Sequence, residues 1–478
     1  MKLSQLFQQV FEHDHDVALS QIKTDCRLVE PGDVFICLTP NAENAKRYSS
    51  HAINRGALCV MADPKQALEK QSAIIECPGL IEQAADIACR LYDDPSQKLK
   101  VLGVTGTNGK TSVCHLLAQA LTHLGKKSAV LGTAGNGIWP DLIESPLTTL
   151  GVFELQAKLA EYVDAGVDYV AMEVSSHGLV QGRVRGVQFA VGIFTNLSRD
   201  HLDFHGTMQA YANAKRSFFD CPMQLAVINV DDEIGHEWIE AWPKNGPRLL
   251  RYGLDREADA KLSLQNLATL PQRFEFEGCT QRFASRTLLI GRFNLYNLLS
   301  VITALVSLGF EGETLSELIP SLKPPLGRMQ VFQVEGKPLA VVDYAHTPEA
   351  LSSVLTALRE FTQGRLYCVF GCGGDRDAGK RPLMGAIAQK QADVVILTND
   401  NPRGESPEAI VSDILAGFSG LKPSVMLDRR EAIAFALHEA KAGDIVLIAG
   451  KGHENYQIIG DARYAFSDAA CVSAALEG

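Results

Sequence analysis

Residues 101–112 read Val-Leu-Gly-Val-Thr-Gly-Thr-Asn-Gly-Lys-Thr-Ser, an apolar run that passes through a glycine-rich turn into a helical pattern over Val113–Leu124. These residue types in this order suit a nucleoside triphosphate. Glycines let backbone N–H groups approach phosphate oxygens, a helix N-terminus adds partial positive charge, a lysine reaches the outer phosphates and a threonine hydroxyl can hold Mg²⁺. The reading makes Gly103, Val104, Thr105, Gly106, Thr107, Asn108, Gly109, Lys110 and Thr111 the ATP-contacting segment, with Lys110 catalytic. ATP and Mg²⁺ are the expected co-substrate and metal. The spacing is a variant, since Val104 rather than glycine stands six before Lys110. A plain Gly-rich turn is the competing reading, and Gly-Lys-Thr between a strand and a helix argues against it.

Two further polar loops follow apolar runs. Tyr169–Met172 leads into Glu173-Val-Ser-Ser-His-Gly178, where Glu173 is a candidate Mg²⁺ ligand if its strand neighbours the phosphate-loop strand. The competing role is a helix-capping serine beside a solvated glutamate. Gln181 and Arg183 come next as holders of an anionic substrate. Val191–Phe194 leads into Thr195-Asn-Leu-Ser-Arg-Asp-His-Leu-Asp-Phe-His-Gly206, two aspartates, two histidines and an arginine in twelve residues. His201 is a candidate metal ligand there, although imidazole is a minority choice for Mg²⁺ and an ordinary loop role competes.

These loops need strands to carry them. At about 150 residues per domain, a chain of 478 residues suggests roughly three domains. Residues 1–96 alternate short apolar runs (Val34–Leu38, Ala57–Met61) with turns and end at Asp93-Asp94-Pro95-Ser96. Residues 97–325 alternate strands and helices as a parallel α/β sheet does, with an antiparallel patch between about 247 and 293, including Arg273–Gly278. Pro324-Pro325-Leu326-Gly327-Arg328 reads as a linker. Residues 326–478 then carry the strands Leu339–Val342, Leu366–Phe370, Val394–Thr398 and Ile445–Ala449, each running into a polar loop. The fold class is α/β, three domains with two open sheets, and ligands are sought at the carboxyl ends of their strands.

Composition narrows the classes. A 46% hydrophobic and 21% charged chain has the make-up of a globular protein, and a net charge of −11 argues against nucleic acid or an anionic membrane as main partner. Eleven cysteines without Cys-x-x-Cys pairs, and a start (Met1–Val10) without a leader's apolar core, lead to the expectation of a reduced, cytoplasmic protein. No run approaches the ~18 apolar residues of a membrane span, and the twelve histidines lack zinc-like spacing.

Taken in order, Gly-Thr-Asn-Gly-Lys-Thr, Glu-Val-Ser-Ser-His-Gly, Thr-Asn-Leu-Ser-Arg-Asp-His-Leu-Asp and Asp-Tyr-Ala-His-Thr-Pro resemble the Mur ligases, which build bacterial peptidoglycan precursors. The resemblance runs from about residue 25 to residue 457. It implies an ATP-dependent amide ligase working through an acyl phosphate. It makes Lys215, in Tyr211-Ala-Asn-Ala-Lys-Arg216, a lysine that is carbamylated and acts with Thr111, Glu173 and His201 at Mg²⁺; without it, Lys215 reads as a solvated helix residue. It places Asn294, Asn297 and Arg328 on ATP. Cys26, Asn41, Thr148, Thr149, Ser175, Gln181 and Arg183 fall to the uridine-linked muramyl dipeptide, UDP-MurNAc-L-Ala-D-Glu. In the last domain it assigns Arg376, Asp400, Asn401, Pro402, Arg403, Gly450 and Glu454 to the incoming amino acid. Arg403 favours meso-diaminopimelate over L-lysine, because a guanidinium pairs with a second carboxylate and repels an ammonium. Only these small molecules are expected as partners, and the chain is expected to be a monomer. A folylpolyglutamate synthetase, a lysine-adding muramyl ligase and a nucleotide-dependent switch are the alternatives; no Asn-Lys-x-Asp guanine signature supports the last.

Overall fold

The computed structural model describes residues 21–69, 72–145, 147–265, 270–420 and 422–477, and the opening stretch Met1–Val10 lies outside them. The chain forms two compact units, Met1–Arg251 and Tyr252–Gly478.

In the first unit, β1 (Ile22–Lys23), β2 (Val34–Ile36), β3 (Cys59–Ala62) and β4 (Ile74–Glu76) make a parallel sheet in that order. Successive side chains in a strand face opposite ways, so Val34, Ile36, Cys59 and Met61 enter one apolar cluster and Phe35, Val60 and Ala62 another. Both faces are covered.

A second sheet of this unit holds β5 (Lys100–Thr105), β6 (Ser128–Gly132), β7 (Gly135–Ile138), β8 (Tyr169–Glu173), β9 (Phe189–Phe194) and β10 (Met223–Asn229) in the order β10-β9-β5-β8-β6-β7. All neighbours are parallel except the β6–β7 hairpin. Every residue of β6, β8 and β9 is buried, as continuous apolar runs in a doubly covered parallel sheet require. The phosphate-loop strand β5 is central. Its register, Val104↔Glu173 and Thr105↔Phe194, brings three strand ends level. The neighbour relation that Glu173 needed is present.

The second unit opens with the end of β11 (Arg248–Gly253), which pairs over two residues with β12 (Ala260–Leu264) in parallel, so the expected antiparallel patch is antiparallel only from β12 on. β13 (Gln272–Gly278) and β14 (Gln281–Thr287) form a hairpin whose turn residues Cys279 and Thr280 both have left-handed φ, the geometry a two-residue hairpin turn favours. Another sheet follows: β15 (Gln330–Phe332), β16 (Leu339–Asp343), β17 (Leu366–Phe370), β18 (Val394–Leu397), β19 (Ser424–Val425) and β20 (Ile445–Ala449), ordered β15-β16-β20-β17-β18-β19. Only its edge strand β15 is antiparallel. Val341, Cys368, Phe370, Leu397 and Leu447 pack on one face; Ala340, Val342, Val369, Ile396 and Ile448 pack on the other. A hairpin of β21 (Tyr456–Ile459) and β22 (Ala462–Ala465) precedes the last helix, Asp468–Glu477.

That helix is fastened by a completely buried ion pair. Arg429 donates from Nε and Nη2 to the two carboxylate oxygens of Asp468 at 2.8 and 2.7 Å, and also to the carbonyls of Asn399 and Ala449. Breaking such a pair by removing one partner costs about 3–5 kcal/mol, because the charge left behind is still enclosed.

Candidate active site

The phosphate loop is built on glycines that nothing else can replace. Gly106 has φ +148°, and a Cβ there would stand 1.9 Å from Thr195 Oγ1; Gly109, φ +88°, sits just before the helix Lys110–His123. Gly103 has a different reason to be glycine, because a Cβ would meet the Phe218 and Phe189 rings within 2.7 Å. It lies in β5 with Val104 and Thr105, all three buried, and the Thr105 hydroxyl is spent on Val174 O.

The β9 loop clasps this turn. Asn196 accepts the Asn108 N–H at 3.0 Å and donates to Asn108 O at 3.2 Å, Thr195 Oγ1 donates to Asn108 O at 2.6 Å, and Thr107 N–H binds Asn196 O. Thr107 Oγ1 and the Tyr211 hydroxyl are 3.1 Å apart. A turn held from outside at this many points keeps its shape without reorganisation when an anion arrives.

Two amines share one carbonyl. Lys110 Nζ donates to Gly106 O at 2.9 Å and Thr107 O at 2.8 Å, and Lys215 Nζ donates to the same Gly106 O at 2.7 Å. Lys215 is 1% exposed and lies over the Tyr211 ring, so it is not the solvated helix residue that its isolated sequence suggests. Burial first, and the charge of Lys110 second, push its pKa down to about 6. At neutral pH most of this amine is uncharged, the form that adds to CO₂.

The same shift has a stability consequence. Between about 6 and the 10.5 of an ordinary lysine, the unfolded chain holds a proton that the folded chain lacks, so this group's contribution to stability rises with pH across that window. Lys215→Met is therefore expected to raise the melting temperature of nucleotide-free protein near neutral pH. The gain should be greatest near pH 6 and should shrink as the pH rises; a variant that melts with wild type at every pH would contradict a neutral buried amine.

Glu173 is 2% exposed at the end of β8. Its Oε1 accepts from Thr111 Oγ1 at 2.9 Å and from Thr133 N–H at 2.8 Å. Burial raises its pKa, against the pull of Lys110 and these donors. Thr133 was not foreseen from the sequence, although it stands one residue past the apolar run of β6. Its hydroxyl lies 2.9 Å from that of Thr148. Thr149 Oγ1 bonds Glu173 O and Ser175 Oγ, Ser175 caps its helix at Gly178 N–H, and Arg183 donates to Thr149 O and to Gln181. Thr148, Thr149, Ser175, Gln181 and Arg183 thus form one polar group around Glu173.

His201 has φ +53°; its half-exposed ring packs edge-on against His177 and its Nε2 is 3.4 Å from Asp200. Among the described residues no three His, Cys, Asp or Glu side chains converge where an ion could sit, so Glu173 and His201 do not make a protein-only cage. Cys26 is buried in the core beside β2, and Asn41 spends its side chain capping the helix Ala42–Asn54 through Asn44 N–H. The Cys26 side chain is enclosed, and the exposed Asn41 has its Oδ1 taken up by the cap.

In the second unit, Asn294 and Asn297 are buried on the helix Arg292–Ser307, the Asn297 amide donating to Asn294 Oδ1 and the Asn294 amide to Ile290 O. The Arg328 guanidinium lies 4.8 Å from the centre of the Tyr344 ring. The loops after β17, β18 and β20 meet. Arg403, φ +52°, donates from Nη1 to Gly374 O at 2.9 Å, and its backbone bonds Ile458 O and Gly460 N–H of the β21–β22 hairpin. Gly450, φ +117°, would place a Cβ 3.0 Å from the Asp400 carboxylate. Pro402 is buried between Asn401 and Arg403, and the exposed Arg376 bonds Asp375 O. Arg381, 2% exposed, was missed by the sequence reading; it grips both Glu405 oxygens at 2.9 Å and also Gly373 O, bracing the Arg376 and Arg403 loops against each other.

Known proteins share this arrangement. The family model described as the Mur ligase middle domain matches residues 104–305, and that described as Mur ligase, glutamate ligase domain, matches residues 327–452. A UDP-N-acetylmuramoyl-L-alanyl-D-glutamate--2,6-diaminopimelate ligase of Chromobacterium violaceum is 44% identical over 464 residues, covering 94% of this chain and 92% of its own. The chain belongs to the Mur ligase family. A relative of the same name from Haemophilus influenzae is 41% identical, with 98% of each chain covered. A solved Mur ligase structure, also named a UDP-N-acetylmuramoyl-L-alanyl-D-glutamate--2,6-diaminopimelate ligase, superposes with a TM-score of 0.76 at 38% identity, covering 100% of this chain and 99% of that one. A folylpolyglutamate synthase of Thermotoga maritima, at 18% identity and a TM-score of 0.60 over 77% of this chain, shares the fold alone. The turn Thr105–Thr111, the group around Glu173 and the Asp400–Arg403 loop fall within the matched spans.

Proposed function

We propose that this chain is an ATP-dependent ligase that joins meso-2,6-diaminopimelate to the D-glutamyl γ-carboxylate of UDP-N-acetylmuramoyl-L-alanyl-D-glutamate in peptidoglycan synthesis. The observation that carries the substrate choice is the Asp400–Arg403 loop, whose guanidinium is fixed on Gly374 O and whose Asn401 amide donates to the Glu454 carboxylate, within a chain 41–45% identical to relatives of that name. An arginine so held pairs with a carboxylate in two parallel hydrogen bonds, and Glu454 suits the ammonium on the same carbon.

Joining a carboxylate to an amine in water is uphill, so the acid is first made electrophilic. The γ-carboxylate attacks the γ-phosphorus of ATP, the bond to the β-phosphate oxygen breaks, and ADP leaves an acyl phosphate. Lys110 and the N–H groups of residues 109–111 at the helix start counter the charge that develops. The unprotonated amine of diaminopimelate then adds to the acyl carbon, and the tetrahedral adduct expels inorganic phosphate as the amide forms. Thr111 and Glu173 present hard oxygen atoms 2.9 Å apart, and a buried carboxylate fits a divalent cation, so these residues, Lys215 as its carbamate, and His201 are the proposed holders of Mg²⁺. When bound, Mg²⁺ supplies charge neutralisation at the phosphates.

On this reading residues 1–96 hold the uridine nucleotide, 97–325 bind ATP and 326–478 deliver the amino acid, in a cytoplasmic monomer. Asn294, Asn297 and Arg328 serve the adenosine end, and Cys26 and Asn41 contribute through their backbone. Phosphate release in the presence of ATP and the muramyl dipeptide nucleotide tests the whole. Release is expected with meso-diaminopimelate and at background with L-lysine or no amine; release with L-lysine equal to that with diaminopimelate overturns the substrate assignment.

A further inference from the structure

Lys451 lies in the loop after β20 and is completely buried, yet it carries the charge of a lysine into the middle of the amino-acid site. Its Nζ is 2.9 Å from Asn401 Oδ1, 3.0 Å from Glu454 Oε2 and 3.4 Å from Asp400 Oδ1, so one ammonium serves three of the residues assigned to diaminopimelate. An ammonium has three protons to donate, and these three acceptors take them all. The geometry fixes more than charge. Asn401 Oδ1 also accepts the Ile458 N–H at 3.0 Å, so the amide is locked with its nitrogen turned to Glu454 Oε2, 2.9 Å away. Both bonds to Glu454 land on Oε2, and Oε1 takes neither.

We propose that Lys451 is the positioning residue that sets the Glu454 carboxylate, directly and through the Asn401 amide, to receive the distal ammonium of the amino-acid substrate. This deepens the reading given under Proposed function and rests on it. Two carboxylates, Asp400 and Glu454, set beside one another without a cation would repel, and each would turn toward solvent. With Lys451 between them they keep their places and leave one net negative charge for an incoming ammonium. Because Lys451 is enclosed, it acts on substrate only through its neighbours. Its removal should therefore appear in the Michaelis constant of the amino acid and not in that of ATP.

The experiment compares wild type, Lys451→Met, Glu454→Gln and the double variant, measuring the Michaelis constants of diaminopimelate and ATP, kcat and the melting temperature of each. Lys451→Met is expected to raise the diaminopimelate constant at least tenfold while that of ATP stays within twofold. The double variant is expected to be no worse than Glu454→Gln alone, since the lysine works through that carboxylate. An unchanged diaminopimelate constant in Lys451→Met overturns the proposal, as do equal changes in both constants or full additivity in the double variant. If Lys451→Met does not yield folded protein, Lys451→Gln, which keeps a donor for Asn401 but no charge, decides by the same criteria. Wild type that forms product with no diaminopimelate dependence would instead sink the functional reading, and the two failures are thus told apart.

Discussion

Lys110→Ala is expected to lower turnover at saturating substrates by at least ~10³-fold, the scale of losing a charged stabiliser aimed at a phosphoryl group in transit. The structure gives this residue two tasks. Its ammonium rests on the carbonyls of Gly106 and Thr107, at the end of a flexible stem that begins on the first residue of the helix, so it can leave these neutral acceptors for a phosphate oxygen without moving the backbone. Its charge also helps to hold down the pKa of Lys215. Alanine therefore removes the cation at the phosphates and also favours protonation of the second amine, which then adds CO₂ less readily. ADP formation under single-turnover conditions checks the claim, and a variant with wild-type rates would refute the assignment of this loop to ATP.

Arg403→Ala is expected to raise the diaminopimelate Michaelis constant on the order of 10²-fold, as losing one partner of a bidentate charge pair does, with little change in that of ATP. Arg403→Lys should recover only part of the loss, because an ammonium cannot form two parallel bonds to a carboxylate. The backbone holds this side chain in the place that the proposed role as selector requires. A left-handed φ at a residue with a Cβ is uncommon, and here it is held by Ile458 O and Gly460 N–H on the adjacent hairpin. A diaminopimelate constant unchanged in Arg403→Ala would remove the argument for a second carboxylate in the substrate.

What was legible in the residues depended on how far each signal reaches along the chain. Strands such as Tyr169–Met172 and Leu366–Phe370 could be read because a strand covered on both faces must be apolar throughout, and their polar ends marked where ligand loops begin. The phosphate loop carried its own local logic of glycines, lysine and helix start. Glu173 was a candidate only on condition that β5 and β8 pair, and a register between residues 69 apart is not written locally. Lys215 and Lys451 were invisible for the same reason. Each is an ordinary lysine until the fold seals it against carbonyls or carboxylates from distant loops, and only family resemblance singled out the first. Asn41 shows the converse, a residue read as a ligand whose side chain the local helix claims as a cap.

The Arg429–Asp468 pair has a reach beyond the helix it fastens. Arg429 also grips the carbonyls immediately before Asp400 and Gly450, so the helix Asp468–Glu477 is tied through one side chain to both of the loops proposed to hold the amino acid. The closing helix is thus a keystone for those loops rather than trim.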